Sequence, residues 1–186
     1  TLPYLDKIHK EIVNDMKCSR HEVHPMYPAD FASQLNVLSL KDMKQAIHHL
    51  LDIRDENTWM LFGTLPIYPC LNDEYDQHLL QRLRKSKNVT MRNDPDGRSR
   101  LNVNVFTGDV IVTDFGDENG TISNIQKDKL TDVFNQWLNT DLAQSLNCHC
   151  AEYQCLGPNV LVKNMYYPNT DFKKKEQIMH QHQIFS

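Results

Sequence analysis

Much that would narrow the function of this chain is missing from it. No apolar run approaches the ~20 residues of a membrane-spanning helix, so no membrane partner is expected. Positive charge is not in excess: 20 Lys and Arg face 24 Asp and Glu, a balance of −4, which argues against a general nucleic-acid binder. No basic n-region with an apolar h-region opens the chain, so no secretory signal is read. Cysteines number five, an odd count badly spread for a disulfide framework, which suits a reducing cytoplasm. Internal repeats and low-complexity segments are also absent. What is present is a globular composition, 40% hydrophobic and 24% charged, over 186 residues, enough for one or two domains with a proper core. The chain starts at Thr1, without a methionine and inside a predicted helix, and reads as a piece of something longer.

The first ninety residues alternate helix and strand. Leu5, Ile8, Ile12, Val13 and Met16 recur at helical spacing over 3–16. A short strand follows over 20–26, stopped by Pro25 and Pro28, and 28–38 reads as loop. Ser39 is a good N-cap for a helix through Leu51 with Leu40, Met43, Ile47, Leu50 and Leu51 on its buried side. Trp59-Met60-Leu61-Phe62 is a continuous apolar run, the pattern of a strand covered on both faces. Asp73 or Glu74 opens a further helix carrying Tyr75, Leu79, Leu80 and Leu83, and a third strand is read at 89–91. Such alternation predicts parallel β/α units over 1–92.

Residues 93–100 form a polar Pro/Gly linker, and the pattern changes after it. Leu101 to Val105 alternates, Thr107-Gly108-Asp109 turns and Val110-Ile111-Val112 returns, which predicts a hairpin with one buried face. A short strand near Ile122 to Ile125 and an amphipathic helix carrying Leu130, Val133, Phe134 and Trp137 follow. Then three cysteines fall within eight residues, Cys148, Cys150 and Cys155, and Gly157-Pro158 forces a turn. Thiolates are soft ligands for zinc and iron–sulfur clusters. Residues two apart on an extended chain lie ~6.6 Å from one another, whereas sulfurs on one zinc lie ~3.8 Å apart. A C-x-C pair in open backbone therefore fits a multi-iron cluster better than a single zinc. Buried plain thiols or a disulfide are the alternatives.

The order of hairpin with a turning glycine, strand ending in Asn124-Ile125, Trp-bearing helix and clustered cysteines resembles the SPASM domain, or its shorter twitch form, of radical SAM enzymes. Cys155-Leu156-Gly157-Pro158-Asn159 and Val162 to Tyr167 look most like the Xye-type maturases of ribosomally made peptides, which cross-link aromatic residues. The resemblance implies an α/β fold: the C-terminal part of a partial (β/α) barrel over 1–92, a linker over 93–100, and a small α+β SPASM/twitch-like domain over 101–186. It implies an auxiliary [4Fe-4S] cluster held by Cys148, Cys150, Cys155 and a fourth ligand, for which Cys70 is the best candidate. It also implies S-adenosylmethionine and a second [4Fe-4S] cluster in the intact enzyme, a precursor peptide as substrate, and the missing N-terminal half of the barrel as partner. The C-x-x-x-C-x-x-C motif of the SAM cluster is absent, so this chain alone is expected to be inactive. Near Thr113, many SPASM hairpins carry a cysteine that is not found here.

At the expected barrel rim, Glu22 and His24 alternate on one strand and face the same side, and Thr64 sits where a strand meets its loop. These three are the candidate cofactor-binding residues, with a satisfied structural pair as the alternative for Glu22 and His24. Cys18 is the reserve candidate for the fourth ligand and otherwise reads as an ordinary core thiol. Asp109, Asp114, Asp117 and Glu118 read as a solvated acidic loop rather than a calcium site. From a different class, the competing reading of the whole chain is a non-catalytic binding module stabilised by an iron–sulfur cluster or zinc.

Overall fold

Three short strands, each preceded by a helix, make the sheet of the first unit. The computed structural model describes residues 2–28, 34–71, 73–94, 96–113, 120–146, 148, 155 and 157–172. The chain divides into two units, Thr1–Met26 with Asn36–Asn93, and Tyr27–Leu35 with Asp94–Ser186. Among the described residues, no helix is long and apolar enough to cross a membrane.

In the first unit, α1 (Leu5–Lys10) runs directly into a π-helical turn, Glu11–Asp15, before β1 (Arg20–Val23). The wider turn changes the phase of the helix. His9 is the buried residue of α1, while Met16, which follows the wider turn and was expected on the apolar stripe, is 62% exposed. Helix α2 (Leu40–Ile53) starts where Ser39 accepts a hydrogen bond from the Asp42 amide (3.1 Å), and it buries Met43, Ile47, Leu50 and Leu51. Helix α3 (Glu74–Lys85) is capped in the same way by Asp73 and buries Leu79, Leu80 and Leu83; Tyr75 instead stays exposed.

Strands β2 (Trp59–Gly63) and β3 (Val89–Arg92) complete a parallel sheet in the order β1-β2-β3. Its register pairs His21 with Met60 and Val23 with Phe62 on one face, and Arg20 with Trp59 and Glu22 with Leu61 on the other. Because side chains alternate along a strand, Met60, Phe62, Val89 and Met91 share the first face, and Trp59, Leu61, Gly63, Thr90 and Arg92 share the second. The first face is the helical one. His9 of α1 reaches His21 of β1, α1 packs on α2, and α2 packs on α3. Met60 and Phe62 are fully buried there. On the second face Trp59 is 46% exposed, so the apolar run of β2 is not covered on both sides along its whole length.

The second unit is antiparallel. Strands β4 (Asn102–Val103), β5 (Asp109–Ile111) and β6 (Thr121–Asn124) form a sheet in that order. Gly108 turns the first hairpin at φ 77°, a left-handed conformation that glycine adopts without steric cost. Helices α4 (Leu130–Leu138), α5 (Asp141–Leu146) and α6 (Val160–Tyr166) contribute to a core of Val112, Trp137, Ala143, Leu146 and Val160. Within the stretch read as a polar linker, Asp96 and Gly97 are buried, and the Trp137 indole donates to the Gly97 carbonyl (2.9 Å). Asp96 accepts from Arg100 Nε (2.6 Å), and its burial raises the carboxyl pKa. Asn159 is fully buried, caps α6 by accepting from the Val162 amide, and donates to the Asp94 carbonyl (3.0 Å).

Candidate functional site

The second face of the parallel sheet gathers the polar groups of the first unit. Glu22 lies at the centre of the group. Its Oε2 accepts from Arg20 on the same strand (2.8 Å), and its Oε1 accepts from His24 Nε2 (2.7 Å) and from Arg92 at the end of β3 (3.2 Å). The bond from Arg92 crosses β2, and residue 63 of that strand is a glycine. A Cβ there would collide with the His24 imidazole, which lies against the glycine backbone. Gly63 thus lets the ring settle onto the sheet. The His24 hydrogen bond, aided by Arg20 and Arg92, holds the Glu22 carboxyl below the ordinary range, so Glu22 is an anion at neutral pH.

Thr64 follows immediately. Its backbone is left-handed at φ 52°, an outlier for a β-branched residue. Its amide donates to the Arg92 carbonyl (2.6 Å), which extends the β2–β3 pairing by one residue past the strand. Strained backbone of this kind clusters at ligand sites. Towards the other end of the same face, the Trp59 indole donates to Thr90 Oγ1 (3.0 Å). Around Glu22 the two guanidinium groups outnumber the one carboxylate, and both remain substantially exposed, with Arg92 63% and Arg20 49% accessible. Guanidinium groups aligned in this way can take a carboxylate or phosphate in bidentate fashion.

The sequence-predicted site residues are distributed over both units. Glu22, His24 and Thr64 lie at the carboxyl ends of β1 and β2, and all belong to the first unit. Sequence reasoning missed Arg20, Arg92 and the purpose of Gly63. Parity with Glu22 along β1 marks Arg20, whereas Arg92 enters only once the β2–β3 register is known. Cys70 is half-buried in the first unit, Cys148 and Cys155 are half-buried thiols in the second, and Cys150 lies outside the described residues. Of the expected acidic loop, Asp114, Asp117 and Glu118 also lie outside the described residues. Cys18, expected in the core, is exposed because it follows the π-helical turn. Among the described residues no group of three or more His, Cys, Asp or Glu side chains could hold a metal ion.

Comparison with known proteins corrects the resemblance drawn from the cysteine run. Residues 26–177 match the model of the YfkB-like domain, and not a radical SAM or SPASM family. The curated "Putative protein YfkA" of Bacillus subtilis (strain 168) is 66% identical over 176 residues, covering 95% of this chain and 47% of that protein. The chain therefore spans about half the length of the curated relative it matches. No solved structure matches. The peptide-maturase reading, its iron–sulfur role and the metal-stabilised alternative rested on a hairpin–helix–cysteine order whose central thiol, Cys150, lies outside the described residues. That order does not carry the assignment against a family match over most of the chain and a set of described residues without a metal-binding group. By the match over 26–177 and the close relative, this chain belongs to the YfkB-like domain family.

Proposed function

We propose that the charged face of the parallel sheet binds a small anionic metabolite through a carboxylate or phosphate group. The observation that carries this reading is the convergence of Arg20, His24 and Arg92 on one carboxylate, Glu22. Glu22 fixes the direction of both guanidinium groups while leaving donors on each unused, since an arginine carries five N–H groups. The group spreads towards the carboxyl ends of the strands, where open and closed parallel α/β sheets bind their ligands. A sequential β1-β2-β3 order with a single helical layer supports a second part of the proposal. The first unit is an arc of a (β/α) barrel, and the other half of a full-length protein is its partner in closing it.

Calorimetry on the full-length protein tests the reading, with inorganic phosphate and citrate as probes and tryptophan fluorescence as a second readout. Saturable binding that weakens about tenfold or more in Arg92→Ala, roughly 1.4 kcal/mol, is the expected result. Absence of saturable binding, or an Arg92→Ala protein indistinguishable from the parent, would overturn it.

A further inference from the structure

The helical side of the same unit holds a separate feature. A cavity of about 360 Å³ lies where α1 and the π-helical turn meet the end of α2, lined among others by Asp6, His9, Lys10, Asn14, Arg54 and Asp55. Two of its wall residues carry a buried nitrogen with no hydrogen-bond partner, His9 Nε2 and Arg54 Nη1. His9 is only 4% exposed. Its Nδ1 is taken up by His21 Nδ1 at 2.9 Å, with the rings stacked at 5.2 Å between centroids. Nε2 is therefore the nitrogen that His9 has left to offer. Burial lowers the pKa of both imidazoles, so the pair is neutral and a single Nδ1–H lies between them. When His21 donates that hydrogen, His9 Nε2 carries a proton and becomes a donor.

Buried donors without acceptors are rare in folded proteins, and each one calls for an explanation. A π-helical turn beside them adds to the case, since such turns recur at functional sites. The charges of the wall decide the class of ligand. Arg54 and Lys10 are balanced by Asp6 and Asp55, so a polyanion such as a nucleotide phosphate gains no net attraction. A single carboxylate suits the two donors, and an ammonium group on the same molecule would suit the aspartates. Asp6 is already engaged by His49 on α2, and Asp55 accepts from the Asn57 amide through Oδ1 (2.8 Å), so Asp55 Oδ2 is the acceptor for such a group.

We infer that this cavity binds a small monocarboxylate, with His9 Nε2 and Arg54 Nη1 as donors to the carboxylate oxygens. Volumes of this order accommodate metabolites of amino-acid size. The site is distinct from the charged sheet face, because His21 and Glu22 point to opposite sides of β1.

Selective ¹⁵N-histidine labelling of the full-length protein tests it, with sodium acetate and glycine as probes and sodium chloride as the ionic-strength control. The expected result is a saturable shift of the His9 Nε2 resonance with acetate or glycine, not reproduced by chloride, and weakened about tenfold or more in Arg54→Gln. Tighter binding of glycine than of acetate would add Asp55 as the ammonium acceptor. A flat response, an equal response to chloride, or full affinity in Arg54→Gln would overturn the inference. If another part of the full-length protein fills the cavity, the response is flat, and that too overturns it. His9→Gln serves as the second variant, and its retained fold is read from the His21 and His24 resonances. The readout belongs to His9 alone, so loss of anion binding at Arg92 leaves it unchanged.

Discussion

The charged sheet face of the first unit and the buried polar cluster of the second handle charge in opposite ways. In the first, the densest polar group lies on an exposed sheet face, where Glu22 is ringed by Arg20, His24 and Arg92, all accessible to solvent. In the second, polar groups are taken inside and used as fasteners. Asp96 is 1% exposed and holds Arg100 and Asn102, Asn159 is fully buried, and Lys163 gives its ammonium to the carbonyls of Tyr167 and Pro168. Buried polar groups with complete partner sets fix a loop structure, while accessible ones with spare donors can serve a ligand. The first unit's face is therefore the candidate site, and the second unit's cluster is architecture.

The largest effects should come from the second unit. Trp137→Ala removes the largest side chain of its core and orphans the Gly97 carbonyl, and a loss of about 3–5 kcal/mol is expected. Hydrogen exchange resolved by residue should show that loss across β4–β6 and α4–α6. Asp96→Ala should follow at about 2–3 kcal/mol. Its partner Arg100 is 45% exposed and can turn to water, which discounts the full penalty of a broken buried pair. Chemical denaturation measures this one. A negligible change would mean that the buried cluster is no fastener, and the contrast between the units would fail.

Much of the fold was legible in the sequence, and the misses have physical causes. Helix–strand alternation, the Ser39 cap and the Gly108 turn are local signals, carried by residues within a few positions of each other. The π-helical turn is not local in that sense. It shifts the helical phase after Lys10, so a 3.6-residue count carried through it selected Met16 for the interior, where Met16 is 62% exposed. Residues 93–100 looked like a linker because Pro, Gly and charge dominate them, yet the Trp137 indole needs an acceptor and the Gly97 carbonyl supplies it. For the site, strand parity was enough to put Glu22 and His24 together. Arg92 is seventy residues away from Glu22 and becomes its neighbour only through pairing to β2. The clustered thiols were visible from spacing alone, but spacing did not identify the family.

Acidification should discriminate between the units next. Burial lowers the folded-state pKa of His9 and His21, so each prefers to be neutral in the fold and takes up a proton more readily when unfolded. Their sign follows from linkage. The stability they confer is complete above the unfolded histidine value near 6.5 and is lost as pH falls through that value toward the lower folded one. Exchange protection of α1 and β1 should therefore drop between about pH 7 and pH 5, with the drop reduced in His21→Gln. The core of the second unit should change less over that window. Lys163, whose pKa burial lowers, titrates on the alkaline side. Asp96, whose carboxyl pKa burial raises, takes up a proton more readily folded than unfolded and so opposes a loss on acidification. Equal losses in both units would remove this distinction.

The smallest effect on stability, and the sharpest test of the comparison, is expected at Glu22. Its pairs are accessible to solvent, where water and salt screen them, so Glu22→Gln should leave the denaturation midpoint almost unchanged. What it should change is recognition. Without the carboxylate, Arg20, His24 and Arg92 lose the common acceptor that sets their directions, and the site keeps its positive charge but loses its geometry. Oxyanions bound in bidentate fashion depend on that geometry, whereas chloride needs only charge. The preference for phosphate over chloride should therefore fall several-fold, read by competition in the calorimeter. A Glu22→Gln protein that kept its preference and showed a large drop in its denaturation midpoint would place this cluster with Asp96 and Asn159 as a fastener, and the first unit would have no site on that face.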